Sequence, residues 1–389
     1  MNIVPTSYVS RSWFDALKRL DCGTLRFTEP DGTVTIFRGS QPGPEADFLI
    51  KDWDVIRHCC MRGDIGLGED YIAGLWETES IERLVSLFLL NMNRLDGYAH
   101  GNLLNRIGFV LCDAIIRRNS IRGARRNIKR HYDVGNDFYG LWLDETMTYS
   151  AALFDVPSLT LADGQRRKYA RILERCPVKR ASVLEIGCGW GGFVEQASAD
   201  GHDVTAITIS PAQHEFASKR INGAADIRLQ DYRAVRSVFD MIVSIEMIEA
   251  VGERYWTDYF ETVARSLRPG GRALIQAILI RDELFPHYRR RSDFIRHYVF
   301  PGGMLPSLQR FKEEAEAAGL RIADVFAFGQ DYAQTLRHWL TRLGGREKEA
   351  KALGYDDAFL RNWQFYLGMC AASFSVERTN VAQIELVHA

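Results

Sequence analysis

The residues with the clearest chemical meaning are the ten from Val183 to Gly192, Val-Leu-Glu-Ile-Gly187-Cys-Gly189-Trp-Gly191-Gly192. An apolar strand leads into them and an amphipathic segment follows. Gly187 can therefore make a tight turn, and Gly189 can let a ligand lie against bare backbone. The amides that open the following helix suit a negative group. The spacing also satisfies G-x-G-x-x-G, the dinucleotide fingerprint. That fingerprint wants an acid about 20 residues further on, at the end of the second strand. Here the second strand ends Ile207-Thr208-Ile-Ser210, without an acid. The acids present are Glu185, two residues before the first glycine, and Asp231, at the end of the next strand. A carboxylate this close to the turn suits a ligand with a cationic amino group beside a carboxylate, as in the methionine part of S-adenosylmethionine (SAM).

Other reactive side chains are less telling. Glu249 lies in an apolar Ile-Glu-Met-Ile-Glu stretch, where by itself it reads as a helix-end or ion-pair residue. His202, His214, His287 and His297 have no partners at metal-ligand spacing, so no metal site is expected. The seven cysteines form no C-x-x-C pair and are odd in number, which fits reduced cytosolic thiols, Cys188 in the glycine loop included.

The elements that must position these groups follow from periodicity. From about Ala181, short apolar runs alternate with amphipathic stretches: Ser182–Ile186, Asp203–Ile209, Ile227–Leu229, Phe239–Ile245 and Arg272–Ile280. This predicts an α/β fold with a mostly parallel sheet wound on both sides. Before it, Gly23–Gly39 alternates around Pro-Asp-Gly and predicts a hairpin. Leu84, Val85, Leu87, Phe88 and Met92 then recur at helical spacing. Residues 1–116 are thus expected to form a smaller α+β domain whose role is packing and partner contact.

The composition, 46% hydrophobic and 25% charged, excludes a disordered or fibrous chain. The net charge of −1 hides a segregated distribution. Residues 117–130, RRNSIRGARRNIKR, carry seven basic side chains and no acid, between mildly acidic regions on either side. Near an anionic bilayer each of these is worth about 1 kcal/mol. The start of the chain shows no secretory-signal pattern, and the apolar runs Leu84–Leu90 and Gly108–Ile116 fall far short of the roughly 20 residues of a spanning helix. The expectation is a cytoplasmic protein, soluble or peripheral at the inner face of a membrane, with no nucleic-acid partner.

Six motifs occurring in order carry a resemblance. They are His131-Tyr-Asp-Val-Gly-Asn-Asp-Phe, Met147-Thr-Tyr-Ser150, the glycine loop, Glu246-Met-Ile-Glu249-Ala-Val-Gly252, Phe300-Pro-Gly-Gly-Met-Leu-Pro306 and Phe328-Gly-Gln-Asp-Tyr332. Together they resemble the cyclopropane fatty acid synthase and mycolic acid methyltransferase family, densely over residues 131–389. Gly66-Leu-Gly68-Glu-Asp-Tyr71 also makes the N-terminal region similar to the accessory domain of the bacterial synthases. The resemblance implies a Rossmann-like class I SAM-dependent methyltransferase domain with a seven-stranded sheet over 131–389, a basic linker at 117–130 and an accessory domain at 1–116. It implies that Tyr132, Tyr149 and Ser150 close over SAM, that Gly187 and Gly189 form its floor, and that Thr208 and Gln213 meet its ribose side. Asp231 would flank the adenine and Ile245 would line the site. The substrates implied are unsaturated phospholipid acyl chains in an anionic membrane. Arg117–Arg130 would touch that membrane, with Arg289–Arg291 and Arg296 on the same surface. A homodimer through the N-terminal domain is implied by resemblance alone.

The implied chemistry is attack of a cis double bond on the sulfonium methyl, with a carbocation left on the neighbouring carbon. Such a cation needs a dry site with negative charge or π faces. Glu249 is the expected charge and Tyr332 the expected aromatic support. In ring-closing relatives a bicarbonate held by a cysteine, a glutamate, a histidine and a tyrosine removes the last proton. Glu249 and Tyr332 match two of these positions, while Ala151 stands at the cysteine and Gln276 at the histidine. Alanine offers no side-chain hydrogen bond; glutamine can still donate one to an anion. A cyclopropane product and a methyl-branched or methylene product both remain open. A SAM-binding membrane protein without activity is the reading from another class, against which Glu249 and Tyr332 argue.

Overall fold

In the computed structural model, residues 6–99, 134–156 and 158–389 are described. The basic stretch Arg117–Arg130, Tyr132 and the 116/117 and 130/131 boundaries lie outside them.

The N-terminal region begins with a helix, Thr6–Leu17. Strands β1 (Cys22–Thr28) and β2 (Val34–Arg38) pair antiparallel as the expected hairpin. Gly32 makes its turn at φ +87°, and the Asp31 carboxylate accepts from the Thr33 amide at 2.9 Å. A third strand, β3 (Gln41–Ile50), pairs parallel to β1 on its other edge, and the two-residue β4 (Trp76–Glu77) completes the order β2-β1-β3-β4. Alternation places Leu25, Phe27, Ala46, Phe48 and Ile50 on one buried face. The helix Ile81–Leu90, capped by Ser80, covers that face with Leu84 and Leu87.

The second sheet has seven strands: β5 (Ser182–Ile186), β6 (Asp203–Thr208), β7 (Asp226–Leu229), β8 (Phe239–Ile245), β9 (Leu267–Ile280), β10 (Leu320–Ala327) and β11 (Thr379–His388). Their order is β10-β11-β9-β8-β5-β6-β7. Only β11 runs against its neighbours; the pairs β9–β8, β8–β5, β5–β6 and β6–β7 are parallel. Helices on both faces explain why β5 and β8 are near-continuous apolar runs. The chain leaves β5 toward β6 and later returns on the other side as β8. The crevice beyond the carboxyl ends of β5 and β8 is therefore the topological switch point, where such sheets bind ligands.

The two sheets are not separate bodies. The helix Asp357–Ser375 from the second region packs on Asp64–Ile72 and Ile81–Leu90 of the first. Trp76 and Leu84 belong to the same hydrophobic core as Phe138, Trp339, Trp363 and Phe365. Gly368 makes the approach possible, since a Cβ there would sit 2.7 Å from the Ile81 side chain. Gly68, from the Gly-Leu-Gly motif, faces the Phe294 and Phe365 rings in the same way. Among the described residues no helix is long and apolar enough to cross a membrane.

Candidate active site

At the end of β5 the chain turns through Gly187 (φ +87°), Gly189 (φ +52°) and Gly191 (φ +85°) before the helix Gly192–Ala199. The Gly187 and Cys188 amides donate to the Ile207 carbonyl, which ties the loop to β6. A Cβ on Gly187 would lie 2.8 Å from Met247 Cγ, whereas one on Gly189 would meet nothing within 4 Å. The loop therefore presents open backbone on its ligand side. Glu185 points into the same cavity, is 3% exposed, and has one oxygen, Oε2, without a hydrogen-bond partner. Burial pushes its carboxyl up to about 8, against the opposing pull of Lys168. A buried acceptor without a donor beside bare glycine backbone fits a ligand carrying an ammonium group.

The other sequence-predicted cofactor residues gather around this loop. Tyr149, Ser150, Thr208, Gln213, Asp231 and Ile245 all line the cavity. The Thr208 hydroxyl donates to Gln213 Oε1 at 2.9 Å and accepts from the Ser210 amide at 3.2 Å. Asp231 accepts two bonds from the Arg233 guanidinium, at 2.9 and 2.7 Å. Tyr149 shares a 2.9 Å hydroxyl–hydroxyl bond with Tyr366. Ser150 Oγ accepts from Lys168 Nζ at 2.6 Å. Lys168 has no exposed surface, and burial holds its ammonium down at about 7.

Beyond β8 lies a pair of carboxylates, of which sequence reading singled out only Glu249. Glu246 stands at φ +50°, a conformation that costs a non-glycine residue about 1–3 kcal/mol and concentrates at functional sites. Its side chain lines the cavity and accepts three bonds: from the Ala151 amide at 2.8 Å, Gln276 Nε2 at 2.8 Å and the Tyr332 hydroxyl at 2.6 Å. Burial raises its carboxyl, while Lys168 and the three donors favour the charged form. Tyr332 is held well above its ordinary range by burial and by Glu246, so it stays a donor. Glu249, the expected charge, sits one helical step on. Its Oε1 accepts from the Ile278 amide at 2.5 Å and its Oε2 has no hydrogen-bond partner. Burial first, then the neighbouring Glu246, pushes it up to about 8, so near neutral pH the acid form dominates at Glu249, while the three donors and Lys168 favour the anion at Glu246. The Phe300–Pro306 motif braces this corner, its Met304 amide donating to the Glu249 carbonyl at 2.8 Å.

The orientation of Gln276 is fixed from the sheet. Arg171 donates to Gln383 Oε1 at 2.6 Å, and Gln383 Nε2 donates to Gln276 Oε1 at 3.1 Å. A guanidinium has only donors, so each amide must turn its oxygen back and its nitrogen onward, ending on Glu246. Gln276 and Gln383 face each other across β9 and β11. Arg296, expected on a basic surface, is instead 4% exposed. It is paired with Asp293 at 2.6 Å, inside the fold, because its charge is satisfied there.

The cavity holds about 590 Å³. From the glycine loop it passes Glu246, Glu249 and Tyr332 and continues between apolar walls to Leu67, Val85, Phe88, Leu89 and Leu95 of the N-terminal region. The first hundred residues thus contribute to the site itself, which periodicity alone did not reveal.

Residues 119–384 match the family described as mycolic acid cyclopropane synthetase. The chain belongs to this family. Among its relatives is the tuberculostearic acid methyltransferase UfaA1 of Mycobacterium tuberculosis, 36% identical, with 93% of this chain and 87% of that protein covered. Another is the cyclopropane-fatty-acyl-phospholipid synthase of Escherichia coli, 32% identical over 89% of this chain and 88% of that one. The mycolic acid cyclopropane synthase CmaA1, solved with SAH and CTAB, superposes with a TM-score of 0.63 at 28% identity, covering 67% of this chain and 97% of that one. As a member of the mycolic acid cyclopropane synthetase family, the chain is a SAM-dependent methyltransferase of the fatty-acid-modifying kind, and its seven-stranded sheet is the class I methyltransferase fold. SAM binding accords with the partnerless oxygen of Glu185 and the bare glycine backbone beside it.

Proposed function

We propose that this enzyme transfers a methyl group from SAM to the cis double bond of an unsaturated phospholipid acyl chain. The observation that carries the reading is one continuous cavity. A partnerless carboxylate oxygen and bare glycine backbone lie at one end, an apolar channel built by both halves of the chain at the other, and Glu246, Glu249 and Tyr332 between them. When bound, SAM supplies an electrophilic methyl on a sulfonium. Glu185 would hold its ammonium group, with Gly187 and Gly189 beneath it and Thr208, Gln213 and Asp231 along its nucleoside. The apolar walls exclude water that would otherwise trap a carbocation, and the Glu246 anion stabilises that charge as it forms. Arg117–Arg130 would bring the enzyme to the inner face of an anionic membrane.

Loss of a proton from the new methyl closes a cyclopropane; loss from the chain carbon beside the cation leaves a methyl-branched alkene, and a 1,2-hydride shift that moves the cation to the methyl-bearing carbon, followed by loss from the new methyl, leaves a methylene group. The second type of outcome is favoured by Ala151 and Gln276, which remove two ligands that the ring-closing relatives would offer a bicarbonate. Incubation with SAM and vesicles of cis-monounsaturated phospholipid, followed by mass and proton NMR of the acyl chains, tests both points. A gain of CH2 is expected. Upfield cyclopropyl protons would establish ring closure, and vinylic protons beside a new methyl or methylene would establish branching. Chains of unchanged mass would refute the reading.

A further inference from the structure

We propose that Glu246 is the base of this enzyme: its carboxylate takes the proton that the methylated acyl chain must lose, and no bicarbonate is required. The inference rests on the proposed acyl-chain methylation and deepens it.

A bicarbonate does not fit the groups present. The donors that could hold a small anion here are the Ala151 amide, Gln276 Nε2 and the Tyr332 hydroxyl, and all three already bond Glu246 at 2.6–2.8 Å. A second anion beside them would find the Glu246 and Glu249 carboxyls and no remaining donor among these three. The protein's own carboxylate occupies the position, built in by an unusual backbone. At φ +50° the residue after β8 turns its side chain into the cavity. The relay from Arg171 through Gln383 keeps the Gln276 nitrogen, not its oxygen, facing that carboxylate. Lys168, buried nearby, adds favourable charge.

The step balances without another reactant. The alkene π pair forms the new C–C bond to the methyl, the S–C pair stays on sulfur, and the adjacent chain carbon becomes cationic. Glu246 then takes a proton, and the released C–H pair forms either the third ring bond or a new C=C bond. The protonated carboxyl, itself favoured by burial, returns its proton to water after product leaves.

The test uses the full-length enzyme, SAM and cis-monounsaturated phospholipid vesicles in buffer freed of dissolved CO2. Wild-type turnover should be the same with and without added bicarbonate. Glu246→Gln should lose about 100-fold or more in kcat, the scale of a general base, with SAM affinity by calorimetry unchanged. Glu246→Gly suits the backbone and leaves the three donors open. Formate or bicarbonate should raise its melting temperature without SAM or lipid present and restore part of its turnover, and should do neither for wild type. Wild-type turnover that collapses without bicarbonate, wild-type melting raised by bicarbonate, or full activity in Glu246→Gln would each overturn the proposal. Wild type that methylates no lipid at all would instead refute the reaction, while the melting comparison still decides whether the carboxylate fills the anion position.

Discussion

Glu185 is the side chain whose protonation should be read most directly in cofactor binding. Its carboxyl, pushed up to about 8, is mostly neutral at pH 7, whereas pairing with an ammonium needs the anion. Binding must therefore release a proton below about pH 8. SAM affinity should rise by up to about tenfold per pH unit from 6 toward 8 and level off above it. Calorimetry in buffers of different ionisation enthalpy would register that proton. Glu185→Gln should bind more weakly with a flat profile; a wild-type profile flat from pH 6 to 8 would remove Glu185 from the ammonium site. The same logic separates the two glutamates after β8. Both were visible in the sequence, but their roles were not. The partners of Glu246 lie 95, 30 and 86 residues away, and its φ of +50° leaves no compositional trace.

The elements differ in how far their residues announced them. β5 and β8 were legible to the residue because both faces are buried, so apolar residues dominate each run. β3 was not, because Pro42 and Pro44 argue against a strand and are tolerated here only in its exposed first half. The β9–β11 pair shows what periodicity misses in a central strand. Gln276 and Gln383 are buried polar residues where an apolar pattern expects none, and they stay because each satisfies the next. Gln383→Leu should free the Gln276 amide to flip and turn its oxygen toward the Glu246 carboxylate. kcat should drop about tenfold, with the KM for lipid and SAM affinity unmoved and the acidic limb of the kcat–pH profile shifted upward. A parallel loss of SAM binding would mean that the relay is structural packing only.

At the scale of the whole chain, the sequence divided what the structure joins. A mixed α+β region followed by a mostly parallel sheet wound on both sides was readable from periods and turns. The seam between them was not, because it depends on two glycines meeting distant side chains. Leu89→Trp, at the far end of the cavity, should move the preference toward shorter acyl chains while SAM affinity stays constant; acyl profiling of mixed vesicles would show it, and an unaltered profile would place the acyl chain elsewhere. Gly368→Ala would force a methyl against Ile81 and cost about 1–3 kcal/mol, lowering the melting temperature by several degrees. Scanning calorimetry should still show one transition, since Trp76 and Trp363 lie in a common core. That shared core also governs how the protein would fail in a cell. A lesion at Gly68 or Phe48, which pack in or against that core, exposes apolar surface of both halves together and hands the entire chain to chaperones and proteases. Damage to that shared core, unlike a change in the cavity wall such as Leu89→Trp, would thus register first as missing enzyme.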